Sequence, residues 1–101
     1  MARRTLRVHP EAERDLAYGR DWYATHSLIA AEQFLDEVDT ALALVREAPE
    51  RWPLYRHETR RFVMSSYPYS IIYRVTSDSV DVYAVAHAKR RPKYWRSRGF
   101  R

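Results

Sequence analysis

Three side chains in the second half of the chain could act together on a phosphodiester bond, namely His87, Arg74 and Arg61. Cleavage of RNA needs a base for the 2′-hydroxyl, a cation beside the phosphate and an acid for the leaving oxygen. His87 suits the acid or the base because imidazole titrates near neutral pH, and the two arginines suit the phosphate. Tyr94 could add a proton donor or a stacking surface. The catalytic residues of a ribonuclease would therefore be Arg61, Arg74 and His87.

The pattern around Arg74 bears on whether these side chains can meet. Arg74 alternates with Ser70 and Ile72 in a segment of strand-like composition, so the three side chains should share one face. If that face is free of helices, we expect Arg74 and His87 to converge across the sheet. Arg74 could instead pair with Asp81 on the neighbouring strand. His87 could equally be a surface residue at a strand end that only forms hydrogen bonds.

The end of the chain carries a second group of candidates, in which cations are mixed with aromatic rings. Residues 89–101 hold seven Lys/Arg and no Asp/Glu. Cations attract phosphates regardless of sequence, and aromatic rings can stack on exposed bases. The same mixture could bind an acidic protein groove, and the aromatic rings could instead pack the tail onto the domain. The residues predicted to bind a target or a nucleic acid are Lys89, Arg90, Arg91, Lys93, Tyr94, Trp95 and Arg96.

Charge is divided unevenly along the 101 residues. Residues 1–55 carry seven Lys/Arg and ten Asp/Glu, for a net −3, whereas residues 56–101 carry eleven and three, for a net +8. Such asymmetry predicts a polyanionic partner. Nucleic acid and an acidic protein segment are favoured over a lipid surface.

Length and residue types exclude several classes of protein. The length suits a single domain, residues 1–101, with a basic tail at about residues 89–101. The absence of cysteine excludes disulfides, thiolate metal sites and a cysteine nucleophile. His9, His26 and His57 are too scattered to suggest a metal site, so no metal and no cofactor is predicted. No apolar run has the length of a signal peptide or a membrane span, so we expect a cytoplasmic protein without a membrane partner.

The periodicity of apolar residues changes from helical to strand-like midway along the chain. A short strand at residues 6–8 is followed by helices at about residues 10–25 and 28–48, with Glu11, Glu13 and Asp15 near the favourable end of the first helix dipole and Ser27 as the cap of the second. Strand-like segments follow at residues 61–64, 69–75 and 80–87, joined by short turns. The predicted fold is α+β, with an N-terminal strand, an antiparallel helical hairpin and a three-stranded antiparallel meander packed against the helices.

Four segments, in this order and spacing, resemble the RelE/ParE superfamily of toxins. Residues 8–16 are similar to the strand that runs into the first helix, and residues 48–53 to the proline-containing loop after the second. Residues 69–75 resemble the central strand with its Tyr-Arg-Val ending. Residues 82–95 resemble the last strand and its tail, where the pattern His-x-x-Arg-x-Pro-x-x-Trp is typical of ParE-like members.

The resemblance implies a growth-inhibiting toxin of a type II toxin–antitoxin system, of a kind associated with plasmid stabilisation. A ParE-like member would inhibit DNA gyrase and thereby replication. A cognate antitoxin would neutralise it by folding an acidic or amphipathic segment onto the toxin, which would give a toxin–antitoxin hetero-oligomer.

Two alternatives remain beside the gyrase inhibitor. A RelE-like member would be a ribosome-dependent endoribonuclease that cleaves messenger RNA, and a third alternative is a non-toxic nucleic-acid-binding module. Messenger-cleaving members often carry lysines near the loop and first hairpin. The only lysines here, Lys89 and Lys93, both lie in the tail. This departure favours the ParE-like branch.

Overall fold

The computed structural model describes residues 4–91 and 94–100. Two short 3₁₀ turns separate the helices from the last three strands. The longer elements are β1 (Thr5–Val8), α1 (Pro10–Ala24), α2 (Leu28–Glu47), β2 (Arg60–Val63), β3 (Tyr69–Val75) and β4 (Ser79–His87). The strands form one sheet in the order β1-β4-β3-β2, in which β1 runs parallel to β4 and the other neighbours are antiparallel. The predicted α+β fold is confirmed.

Both helices begin at a side chain that caps the backbone. Ser27 Oγ accepts a hydrogen bond from the Ala30 N–H at 3.2 Å, as predicted for the start of α2. The cap of α1 is His9, whose Nδ1 accepts the Glu11 N–H at 3.0 Å and whose role was not predicted. Within the described residues, neither helix combines the length and the apolar character needed to cross a lipid bilayer.

One face of the sheet packs against the two helices. The buried stripe of α2 was predicted from its spacing and consists of Phe34, Val38, Ala41 and Val45. Gly19 lets α1 approach this core closely, because a Cβ at that position would lie 3.0 Å from Phe34 Cζ and 2.9 Å from Tyr69 Oη. The helices, together with Trp52 of the following loop against Phe62, therefore cover this face, and the opposite face remains for other contacts.

An irregularity in the pairing of β3 with β4 turns an extra side chain away from the helices. Ile72 pairs with Ala84 and Tyr73 with Val82, so Tyr83 is an additional residue of β4. Tyr83 and Ala84 consequently both belong to the apolar cluster on the face opposite the helices. We call this face the tail side, because the C-terminal residues cover it.

Candidate interaction site on the tail side of the sheet

The described C-terminal residues, 94–100, fold back across the tail side. Trp95 is 3% exposed and packs with Ile72, Tyr83 and Ala84. The half-buried side chains around this cluster are Tyr55, Ala86, Tyr94 and Phe100. The tail is therefore a docked part of the domain, and the Trp95 ring contacts the sheet instead of facing a partner.

Asp15 of α1 is the polar anchor of the docked tail. The pairing of β1 with β4 ends at Val82, and beyond it Asp15 Oδ2 accepts the Val85 N–H at 3.1 Å. The same oxygen accepts the Tyr94 hydroxyl at 3.1 Å and Arg98 Nη1 at 2.7 Å, while Oδ1 accepts Arg98 Nη2 at 3.2 Å. One carboxylate thus joins α1, β4 and the tail. The ion pair is enclosed, with the two side chains only 8% and 12% exposed.

The position beside Asp15 makes the Tyr94 hydroxyl a weaker acid. Burial raises the pKa of Tyr94, and the neighbouring Asp15 carboxylate raises it further because a phenolate would face a negative charge. The phenol therefore stays protonated at neutral pH and donates its hydrogen to Asp15. Tyr94 is placed to hold the tail, and its hydroxyl is engaged within the protein.

A second ion pair lies beside the tail between β1 and β4. Arg7 Nε and Nη2 donate to the two oxygens of Asp81 at 2.7 and 2.6 Å, and the Phe100 ring lies 4.8 Å from the Arg7 guanidinium. The register places Arg74 opposite Asp81, but Arg74 donates to the His57 carbonyl oxygen at 2.7 Å and to the Tyr83 hydroxyl at 3.3 Å. Arg74 and Asp81 are therefore cross-strand neighbours, as the alternative predicted, but the ion-pair partner of Asp81 is Arg7.

The Arg7–Asp81 pair makes stability depend on pH. Burial opposes ionisation of Asp81, but the hydrogen bonds from Arg7 and Ser79 outweigh it, so the pKa of Asp81 is lowered. The pair contributes stability above the ordinary aspartate pKa, and this contribution is lost as the pH falls through the lowered value. In urea unfolding from neutral pH to about pH 2, Asp81→Asn is expected to be less stable than wild type at neutral pH. That difference should shrink in acid.

Exposed Asp39 provides the matched control for this pH series. Asp39→Asn removes the same charge without touching the Arg7–Asp81 pair and should follow the wild-type pH profile. A constant stability gap between wild type and Asp81→Asn across the series would contradict the assigned ionic contribution.

The structure does not bring together the three residues predicted to cleave RNA. His87 pairs with Tyr69 at one end of the β3–β4 ladder and Arg74 with Asp81 at the other, about 16 Å away at ~3.3 Å per residue. The His87 ring packs edge-on against Tyr69, and its Nδ1 accepts the Lys89 N–H at 3.0 Å. The predicted convergence of Arg74 and His87 is therefore wrong, because sharing neighbouring strands does not fix the register.

Arg61 and His87 do border a common hollow, a cleft of about 90 Å³ between the sheet and the tail. Arg90 and Arg91 join Arg61 in lining it, and no aspartate or glutamate is among its described lining residues. Aromatic rings support two of these cations: the Arg61 guanidinium lies 4.5 Å from the Tyr55 ring, and that of Arg90 lies 3.9 Å from the Tyr94 ring. We call this hollow the arginine cleft.

The remaining predicted tail residues are exposed or lie outside the described chain. Lys89 and Arg96 are exposed, whereas Lys93 lies outside the described residues. In the part of the chain that the structure describes, no group of three or more His, Asp or Glu side chains could hold a metal ion. The tail side therefore combines exposed cations with a docked aromatic cluster.

The Asp15–Arg98 pair was missed from the sequence. The two residues are 83 positions apart, and no motif spacing connects them. One signal was available, since Asp15 lies next to the apolar stripe of Ala12, Leu16 and Tyr23 on α1. A carboxylate beside a buried stripe is placed near the interior by the helix. It requires a partner there, because burial of an unpaired charge is costly.

Comparisons with known proteins point to one family. The model of the family described as "ParE toxin of type II toxin-antitoxin system, parDE" matches residues 6–92. Toxin ParE2 from two Mycobacterium tuberculosis strains, CDC 1551 / Oshkosh and ATCC 25618 / H37Rv, is 32% identical over 95 residues, covering 88% of this chain and 86% of each relative. A chain of the solved "Chromosomal ParDE TA system from P. aeruginosa" shares the fold, with a TM-score of 0.64 and 20% identity over 85% of this chain and 97% of that one.

Proposed function

Because the chain belongs to the ParE toxin family of type II toxin–antitoxin systems, we propose that it inhibits DNA gyrase and that a cognate antitoxin neutralises it. The observation that carries this proposal is a basic surface built on a docked tail, combined with the separation of Arg74 from His87. An inhibitor needs a surface that fits its target. Cleavage of RNA needs an acid, a base and a cation at one phosphate. The cytoplasm, where gyrase works, is the compartment that this function requires.

The target-binding surface consists of the cations that the docked tail displays. Exposed Lys89, Arg90, Arg91 and Arg96 follow or flank the end of β4, within the half of the chain that carries a net +8. Docking through Trp95 and Asp15 holds residues 94–98 against the sheet, so the segment that bears Arg96 loses little conformational freedom on binding. This surface suits an acidic region of gyrase or the DNA that gyrase holds.

An antitoxin requires surface of a different character, and the end of the helical hairpin provides it. Large apolar side chains are exposed there, namely Tyr18 (75%), Trp22 (52%), Leu28 (72%) and Ile29 (67%). Exposed apolar patches of this kind mark protein–protein contacts. An amphipathic antitoxin segment that folds on the toxin would bury these side chains and gain affinity from doing so.

A supercoiling assay with purified DNA gyrase and relaxed plasmid tests the target. The full chain is expected to inhibit supercoiling, and its expression without antitoxin should cause filamentation, DNA breaks and an SOS response. Lys89→Gln/Arg96→Gln should weaken inhibition by about three- to tenfold, because steering cations are lost from the contact surface. Arg14→Gln/Arg20→Gln, which removes the same charge from α1, should inhibit like wild type.

The same assays separate the alternatives. His87→Ala should retain inhibition, since no catalytic role is assigned to its imidazole. Rapid arrest of translation with cleaved transcripts, abolished by His87→Ala, would establish the ribonuclease instead. Normal supercoiling at an excess of the protein would eliminate gyrase as the target, and normal growth of expressing cells would contradict growth inhibition altogether.

A further inference from the structure

We propose that the arginine cleft binds a backbone phosphate of duplex DNA, so that the protein contacts DNA directly. Arg61 reaches the cleft from β2, whereas Arg90 and Arg91 reach it from the chain after β4. Three arginines therefore line one small space whose described lining contains no carboxylate. This inference goes beyond gyrase inhibition and does not require gyrase to be the target.

The three arginines are available to an anion. Each described ion pair uses a different arginine, and these are Arg4, Arg7, Arg14, Arg20 and Arg98. Stacking on Tyr55 and Tyr94 orients Arg61 and Arg90 through their flat faces. The N–H groups at the edge of a stacked guanidinium remain free to form the paired hydrogen bonds that phosphate oxygens accept.

The size and lining of the cleft suit a phosphate group. Its volume of about 90 Å³ is several times the roughly 10–15 Å³ that one water molecule requires, so a phosphate group can enter. Ser70 adds a hydroxyl to the lining, while Ile72, Ala86 and Trp95 form an apolar floor. The cleft therefore offers a phosphate group hydrogen-bond donors above an apolar floor.

Charge density favours duplex DNA over an acidic peptide as the source of that anion. Duplex DNA carries one negative charge per ~1.7 Å of its axis, whereas an extended peptide offers at most one per ~3.3 Å. Three arginines in one cleft, with exposed Lys89 and Arg96 on the same chain segment, repel one another until a dense polyanion neutralises them. The denser of the two polyanions matches this arrangement better.

Fluorescence anisotropy with a labelled short DNA duplex and the full chain tests the proposal. The protein is expected to bind with an affinity that falls linearly with the logarithm of salt concentration. Arg61→Gln and Arg90→Gln should each weaken binding about tenfold and reduce the salt slope by about one. The matched control is Arg51→Gln, which removes an exposed arginine stacked 5.4 Å from Trp52 outside the cleft and should change affinity less than about twofold.

Three results would overturn the assignment of the cleft to a DNA phosphate. These are no binding by the wild type, equal losses in the cleft variants and Arg51→Gln, or equally effective competition by polyglutamate of matched charge. The last result would assign the cleft to a carboxylate-rich protein. Thermal unfolding of each variant checks that the fold is intact. Gyrase is absent from this assay, so DNA binding and gyrase inhibition can fail independently.

Discussion

Replacing Asp15 with alanine is expected to lower the free energy of unfolding by about 3–5 kcal/mol, because it breaks an enclosed ion pair and leaves one partner uncompensated. The Asp15 carboxylate accepts hydrogen bonds from Val85, Tyr94 and Arg98, and its side chain is 8% exposed. After the substitution the Arg98 guanidinium must either stay enclosed without its anion or move into water together with the tail. The second route limits the loss, so the lower part of the range is the more realistic expectation.

Urea unfolding of the full chain measures this loss, and amide hydrogen exchange locates it. Faster exchange at residues 94–100, with the α2 amides still protected, would show that the tail undocks while the helical core persists. Asp15→Asn, which keeps an acceptor oxygen but not the charge, should fall between wild type and Asp15→Ala.

Asp21 provides the control on the same helix. Its ion pair with Arg20 is exposed, at 71% for the Asp21 side chain, so Asp21→Ala should change stability by only about 0–1 kcal/mol. Similar effects of Asp15→Ala and Asp21→Ala would contradict the anchoring role, because a merely electrostatic contribution of α1 carboxylates would then explain both.

The helices were predictable because their signals are local. The spacing of the stripe on α2 and the Ser27 hydroxyl each act within a few residues, and the structure keeps both. The predicted end of α2 was also close, since the helix stops at Glu47 and Pro49 begins a 3₁₀ turn. Such features follow from the geometry of a single helix and require no knowledge of distant contacts.

The candidate site was less predictable because it depends on register and on contacts between distant segments. Alternation correctly grouped Arg74 with Ile72 on the face free of helices, but it contained no information on how far His87 lies along the next strand. The bulge that adds Tyr83 to the tail side is likewise set by pairing with β3. Docking of the tail combines both difficulties, since it joins residues from the two ends of the chain.

The second large effect is expected at Trp95, the apolar counterpart of Asp15 in the docked tail. Trp95→Ala should lower the free energy of unfolding by about 3–5 kcal/mol, because a buried indole is replaced by a cavity among Ile72, Tyr83 and Ala84. The matched control is Trp22→Ala on α1, where the ring is 52% exposed and the loss should stay within about 1 kcal/mol. Urea unfolding followed by far-ultraviolet circular dichroism compares the two without relying on tryptophan emission.

Trp95 and Asp15 should also be coupled, since both hold the same segment against the sheet. Once Asp15→Ala has released the tail, Trp95 has less packing to lose, so the double variant should be less destabilised than the sum of the two single variants by about 0.5–3 kcal/mol. Additive losses would mean that each side chain stabilises the domain independently and that the tail does not dock as one unit. In that case the cations of the tail would not depend on one shared anchor, and each substitution should change only the contacts of its own side chain.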